Sequence, residues 1–162
     1  MMKRFEGMLL AAALLSSSVQ AGEAVGGQAG SASGKPLEIT VYRSPTCGCC
    51  GKWLEHMKNN GFIVKDIEIE DMDKIKSQYG VPENLRSCHT AIVDGYVIEG
   101  HVPAADVLDL LKQKPKEAAG LAVPGMTVGS PGMEMGGRKD PFDVVEFDKK
   151  GNARVLHEYR SY

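Results

Sequence analysis

Cys47, Cys49 and Cys50 place three of the chain's four cysteines within four positions, and the fourth, Cys88, is followed at once by His89. Thiols this crowded serve two kinds of chemistry. As thiolates they attack sulfur, and Cys47 with Cys50 has the C-x-x-C spacing of a disulfide-exchange pair. As soft donors they select soft ions, Cu(I) first and zinc second. Adjacent cysteines are awkward to join to each other, because the bond wants Cα atoms roughly 4.4–6.8 Å apart with converging Cβ vectors. A bridge from Cys47 or Cys50 to the distant Cys88 is the plainest structural use of the set.

The elements that must aim these sulfurs are legible on both sides. Leu37, Ile39 and Val41 alternate with Glu38 and Thr40, which predicts a strand over 37–42 with one buried face. Pro45 sits in a turn. From Cys50 to Asn60 the period becomes helical, with Trp53, Leu54 and Met57 inward, Lys52, Glu55 and Lys58 outward, and Gly61 as the stop. A second strand over 62–69, a short helix over 71–79 closed by Gly80, and a loop marked by Pro82 and Asn84 lead to Cys88-His89. The runs 90–93 and 96–99 flank Asp94-Gly95, a hairpin signal. Pro103 then opens a helix with Val107, Leu108, Leu110 and Leu111 inward, and Pro115 ends it.

The order β–α–β–α–β–β–α is the α/β, thioredoxin-like arrangement, in which a strand hands over to a helix N-terminus bearing the reactive cysteine. Unpaired backbone N–H groups and the helix dipole favour thiolate there. Thioredoxins place a substrate-docking cis-proline just before the third strand. Here Thr90 stands in its place, with the soft donor Cys88 beside it.

Residues 1–21 read as an export signal: Lys3 and Arg4, an apolar run over 8–15, and the small-residue pattern Val19-Gln20-Ala21. Eight apolar residues fall short of the ~20 that cross a bilayer, so no membrane span is expected after cleavage. Gly, Ala and Ser dominate 22–36, a flexible leader. The core is expected over 37–114, with 115–162 packed on it as an extension. That extension holds a Gly/Pro/Met-rich loop to 141 and a terminal β-hairpin whose runs, 143–147 and 153–157, flank 148–152. Loops of that length inside a compact domain are usually functional or disordered, and disordered tails rarely carry this much Met, Val and Leu. The net charge of −2, one positive charge lower without the signal, argues against nucleic acid as a partner.

A structural zinc site draws its sulfurs from two separated knuckles. One dense triplet plus a distant cysteine instead suits bridging thiolates and more than one Cu(I) ion. Four ordered motifs carry a resemblance. Tyr42-Arg43-Ser44-Pro45-Thr46-Cys47-Gly48-Cys49-Cys50-Gly51-Lys52-Trp53, Ser87-Cys88-His89-Thr90 and Glu99-Gly100-His101-Val102-Pro103 are three of them. The fourth is Gly120-Leu121-Ala122-Val123-Pro124-Gly125-Met126 with Gly129-Ser130-Pro131-Gly132-Met133-Glu134. Together they resemble the CopG-type copper-resistance family, exported thioredoxin-like metal-binding proteins long catalogued as a domain of unknown function. Thr127 follows Met126 where proline is expected, which changes loop stiffness and touches no ligand.

The resemblance implies periplasmic copper handling, with Cys47, Cys49, Cys50 and Cys88 holding a copper cluster and with Cu(I) and Cu(II) interconverted. Copper ions and other exported copper-handling proteins are the implied partners. His89, His101, Met126 and Met133 are further candidate donors, with Met135 behind them. Alternate strand residues face opposite ways, which counts against His89 beside Cys88. His101, just ahead of Pro103, suits a helix cap or a buried hydrogen bond equally well. Trp53 and Met57 read as core, His56 as solvated on its helix, His157 as part of the hairpin face, and Glu68, Glu70, Asp71 and Asp73 as a solvated charge run. The function expected is an exported Cu(I)-binding protein that limits copper toxicity by sequestration, delivery or redox conversion. The alternative is a thioredoxin-like thiol–disulfide oxidoreductase using Cys47 and Cys50.

Overall fold

The computed structural model describes residues 36–161, so the export signal and all but the last residue of the leader lie outside it. Seven strands form one sheet: β1 (Leu37–Arg43), β2 (Phe62–Glu68), β3 (His89–Val93), β4 (Tyr96–Glu99), β5 (Ala118–Ala122), β6 (Phe142–Asp148) and β7 (Ala153–Tyr159). Their order across the sheet is β2-β1-β3-β4-β5-β6-β7. Three helices, α1 (Gly48–Asn59), α2 (Met72–Gln78) and α3 (Ala104–Gln113), join them. β1 and β2 are parallel across α1, while β1–β3 and β3–β4 are antiparallel. This is the thioredoxin-like α/β arrangement that the pattern of elements predicts.

Burial follows the periodicities. Ile39 and Val41 of β1 share a core with Trp53, Leu54 and Met57 of α1 and with Val107, Leu110 and Leu111 of α3. Trp53 is wholly buried and its indole Nε1–H donates to the Val102 carbonyl at 2.9 Å, so the largest side chain of the core is also oriented. Truncating a buried Trp costs about 3–5 kcal/mol. A smaller cluster, Val81, Leu85, Val97, Ala122 and Phe147, forms apart from it. The β3–β4 turn has positive φ at both Asp94 (48°) and Gly95 (85°), the backbone an Asp-Gly hairpin turn requires.

Residues 115–141 are not one uninterrupted loop. Ala118–Ala122 is a strand, parallel to β4 and antiparallel to β6, and it carries the terminal hairpin into the same sheet. Ala-Ala-Gly-Leu-Ala has no β-branched residue and no alternation, so propensity gives no sign of it. Tertiary pairing makes this strand. Gly120 is needed at its centre because a Cβ there would collide with the Val97 carbonyl. Pro103, expected inside the first turn of α3, is instead its N-cap.

Candidate metal centre

After β1 the chain turns, the Cys47 N–H donating to the Ser44 carbonyl at 3.0 Å, and Cys47 becomes the N-cap of α1. Its side chain makes no cap hydrogen bond, and the first turn holds no acidic residue. The amides of that turn are therefore free of an internal anion and favour negative charge on nearby sulfur. Cys50 is buried, whereas Cys47 and Cys49 are half-buried. A disulfide joins Cys47 to Cys50, the C-x-x-C pair, while Cys49 and Cys88 are free thiols. Neither expected bridge to Cys88 forms.

The antiparallel register that sets His89 of β3 opposite Arg43 of β1 brings Cys88 to the turn before α1. All four sulfurs lie within 4.8 Å of one another, and Cys49 Sγ is 3.6 Å from Cys47 Sγ. Cys88 belongs to a second group as well. Its Sγ lies 3.3 Å from His89 Nδ1 and 3.0 Å from His101 Nε2. His101 Nδ1 lies 2.8 Å from the Pro131 carbonyl, which can only accept, so the proton is on Nδ1 and the Nε2 lone pair faces Cys88. His89 is wholly buried, 4.4 Å ring to ring from Trp53, and its Nε2 has no hydrogen-bond partner among the described residues.

Burial sets the protonation states. Desolvation pushes both imidazoles below the ordinary His range, His89 the further, with His101 and Lys76 adding to it. Neutral imidazole is the metal-ligating form. The Cys88 thiol is pushed up to about 12, by burial first and by the charge of Cys49 second. Such a thiol stays protonated until a cation displaces its proton.

A separate network fixes the segment that carries Cys88. Glu99, wholly buried, accepts the Ser87 N–H and the Lys76 ammonium at 2.6 Å each on Oε1, and the Thr90 hydroxyl at 2.7 Å on Oε2. Lys76 also donates to Thr90 Oγ1 at 3.1 Å, and the Gly100 N–H donates to the His89 carbonyl at 2.9 Å. Ser87 Oγ donates to the Gly125 carbonyl, and Ser87 and Gly125 form a parallel bridge. The residues on both sides of Cys88-His89 are thus tied to one carboxylate. Lys76 escaped the sequence reading, and Glu99 entered it only as the first residue of a motif, without a role. The one available signal was a Glu that directly follows the apolar pair Val97-Ile98 in a strand.

On the open side, the loop after β5 crosses α1. A Cβ on Gly132 would stand 2.7 Å from Trp53 N, so the backbones touch. Met133 follows and lines a cleft of about 290 Å³ together with Cys49, Lys52, Glu134 and Met135.

A family described as "Protein of unknown function, DUF411" matches residues 85–133, which take in Cys88, His89, His101, Met126 and Met133. No curated protein matches. Two solved structures do, both titled "Copper resistance protein copG". Form 1 is 50% identical, with a TM-score of 0.74, over 78% of this chain and 100% of that one. Form 2 is 50% identical, with a TM-score of 0.73, over 77% and 99%. The chain belongs to the CopG copper-resistance family.

In this CopG chain the residues singled out from sequence divide clearly. Cys47, Cys49, Cys50, Cys88, His89 and His101 converge, and Met133 lines the same cleft as Cys49. Met126 is 61% exposed, one residue beyond the Gly125 that bridges to Ser87. Met135 is 64% exposed at the cleft. His56 is not solvated on its helix: it is half-buried, and its Nε2 accepts the Ala104 N–H at 3.0 Å, capping α3 from α1. Several acids of the 66–73 stretch have partners, Asp66 and Glu68 on Arg43, Asp71 on the Lys74 N–H and Asp73 on Arg86. No helix among the described residues is long and apolar enough to cross a membrane.

Proposed function

We propose that this CopG relative is an exported, periplasmic copper-binding protein. It holds Cu(I) through the thiolates of Cys47, Cys49, Cys50 and Cys88, with His89, His101, Met133 and Met126 as further donors. The observation that carries this reading is the meeting of four sulfurs within 4.8 Å, one of them shared with two neutral imidazoles. That is more soft donor than one ion takes, and bridging thiolates let several Cu(I) ions share it. The names of the solved relatives point the same way. Reduction of the Cys47–Cys50 bond must come first, because a disulfide sulfur is not a thiolate ligand.

The same bond supplies a two-electron couple for converting the metal. Two Cu(II) ions each take one electron from the Cys47/Cys50 dithiol. The S–S bond forms, two protons leave, and two Cu(I) ions result. Titration of the reduced protein with Cu(I) against a chromophoric competitor is expected to give several ions per chain, and the Cys49→Ser/Cys88→Ser variant fewer. Unchanged stoichiometry in that variant would sink the cluster. Thiol–disulfide exchange is the second reading, favoured by the Cys47–Cys50 bond at a helix N-terminus. It requires turnover of a disulfide substrate without metal, surviving in Cys49→Ser.

A further inference from the structure

The cleft beside Cys49 has a feature that the ligand set does not explain. It presents a series of soft donors: the thioether of Met135, 64% exposed, the thioether of Met133, half-buried, and the free thiol of Cys49, also half-buried. The loop that carries the two thioethers is fixed in place. The Met133 N–H donates to the Ser130 carbonyl at 2.8 Å, and the Met133 carbonyl accepts the Gly129 N–H at 2.9 Å. The Gly132 N–H donates to Glu134 Oε1 at 3.0 Å. Met135 pairs with Arg138 across Gly136, whose φ is 63°. A buried Met contributes about 1.5–3 kcal/mol to folding, and Met135 forgoes most of that. Fold stability therefore gives no reason for a thioether at this position.

From this series we infer that the cleft is the loading port of the site. Cu(I) brought by a small carrier ligand leaves that ligand for Met135 and passes by ligand exchange to Met133 and then to Cys49. The inference rests on the copper reading above. Copper stays Cu(I) throughout. At each step one copper–donor bond forms as the preceding one breaks, and the Cys49 proton leaves to water as its thiolate binds. The exchange between the two thioethers is near balance, and the last step runs downhill, since neutral thioethers hold the ion more weakly than thiolate does.

Stopped-flow transfer of Cu(I) from its bicinchoninate complex to the reduced protein reads the rate, and the end point reads the capacity. Met135→Leu, a change at an exposed side chain, is expected to slow transfer by about tenfold while capacity stays at the wild-type value. Met135→His, which restores a donor, is expected to recover the rate. Transfer by the Leu variant as fast as wild type overturns the port, and so does equal slowing in the Leu and His variants. A wild-type protein that takes up no Cu(I) overturns the copper reading itself, an outcome separate from failure of the port.

Discussion

Two polar clusters meet at the start of β3, and they are completed to different degrees. In the first, the Glu99 carboxylate has three donors, and Thr90 Oγ1 both accepts from Lys76 and donates to Glu99. In the second, Cys88 faces two imidazoles, a buried ring nitrogen of His89 has no partner among the described residues, and two thiols are free. Leaving a buried polar atom unpaired costs about 1–3 kcal/mol. The same short segment, residues 87 to 90, carries both clusters. The closed one is therefore scaffold, and it holds the open one in shape.

The largest expected effect tests the closed cluster. Lys76→Met leaves the Glu99 carboxylate buried without its cation, and breaking a buried pair in this way costs about 3–5 kcal/mol. Urea denaturation of the apo protein measures it. Lys76→Met/Glu99→Gln, which keeps an acceptor for the Ser87 N–H and removes the charge, is expected to recover most of the loss. A single-variant loss below about 1 kcal/mol would mean that water or another group already solvates Glu99, and the two clusters would no longer differ in kind.

A smaller effect is expected from the open cluster, with the opposite pattern. His89→Leu removes an imidazole that makes one sulfur contact and leaves one nitrogen unpaired, so apo stability is expected to stay within about 1.5 kcal/mol of wild type. Cu(I) affinity, read against a competitor, is expected to fall. Unchanged affinity together with a large loss of apo stability would turn His89 into scaffold and erase the contrast.

What the sequence revealed of each cluster follows from how local its cause is. The Cys run, the helix after it and the Asp94-Gly95 turn declare themselves within a few residues. Cys88 could be placed near Cys47 because strand order alone brings the start of the third strand to the end of the first. Lys76 gave no such sign. It looks like Lys74 two positions earlier, and only its pairing with a carboxylate 23 residues away tells them apart. β5 was hidden for a related reason, since its Ala-rich run becomes a strand only where β4 offers an edge and Gly120 permits the approach. His56 sits three residues before the helix end with nothing local to show that α3 begins against it.

The smallest effect concerns a third, half-buried imidazole, whose Nε2 has a partner where that of His89 has none among the described residues. Nε2 of His56 must be unprotonated to accept the Ala104 N–H, and burial lowers its pKa below the ordinary value while the charge of Glu134 opposes the shift. The folded pKa therefore lies under the unfolded one, about 6.5. As pH falls through about 6.5 the unfolded chain takes up this proton first, so stability is complete above that pH and declines below it, down to the folded pKa. His56→Gln keeps an acceptor in reach of Ala104 and does not titrate. His89 and His101 titrate in both proteins and cancel in the difference. Between about pH 7 and pH 5, wild type is expected to lose more unfolding free energy than the Gln variant. Parallel pH curves would show that His56 takes up its proton as readily in the fold as in the unfolded chain. Partnership, as well as burial, would then have ceased to separate His56 from His89.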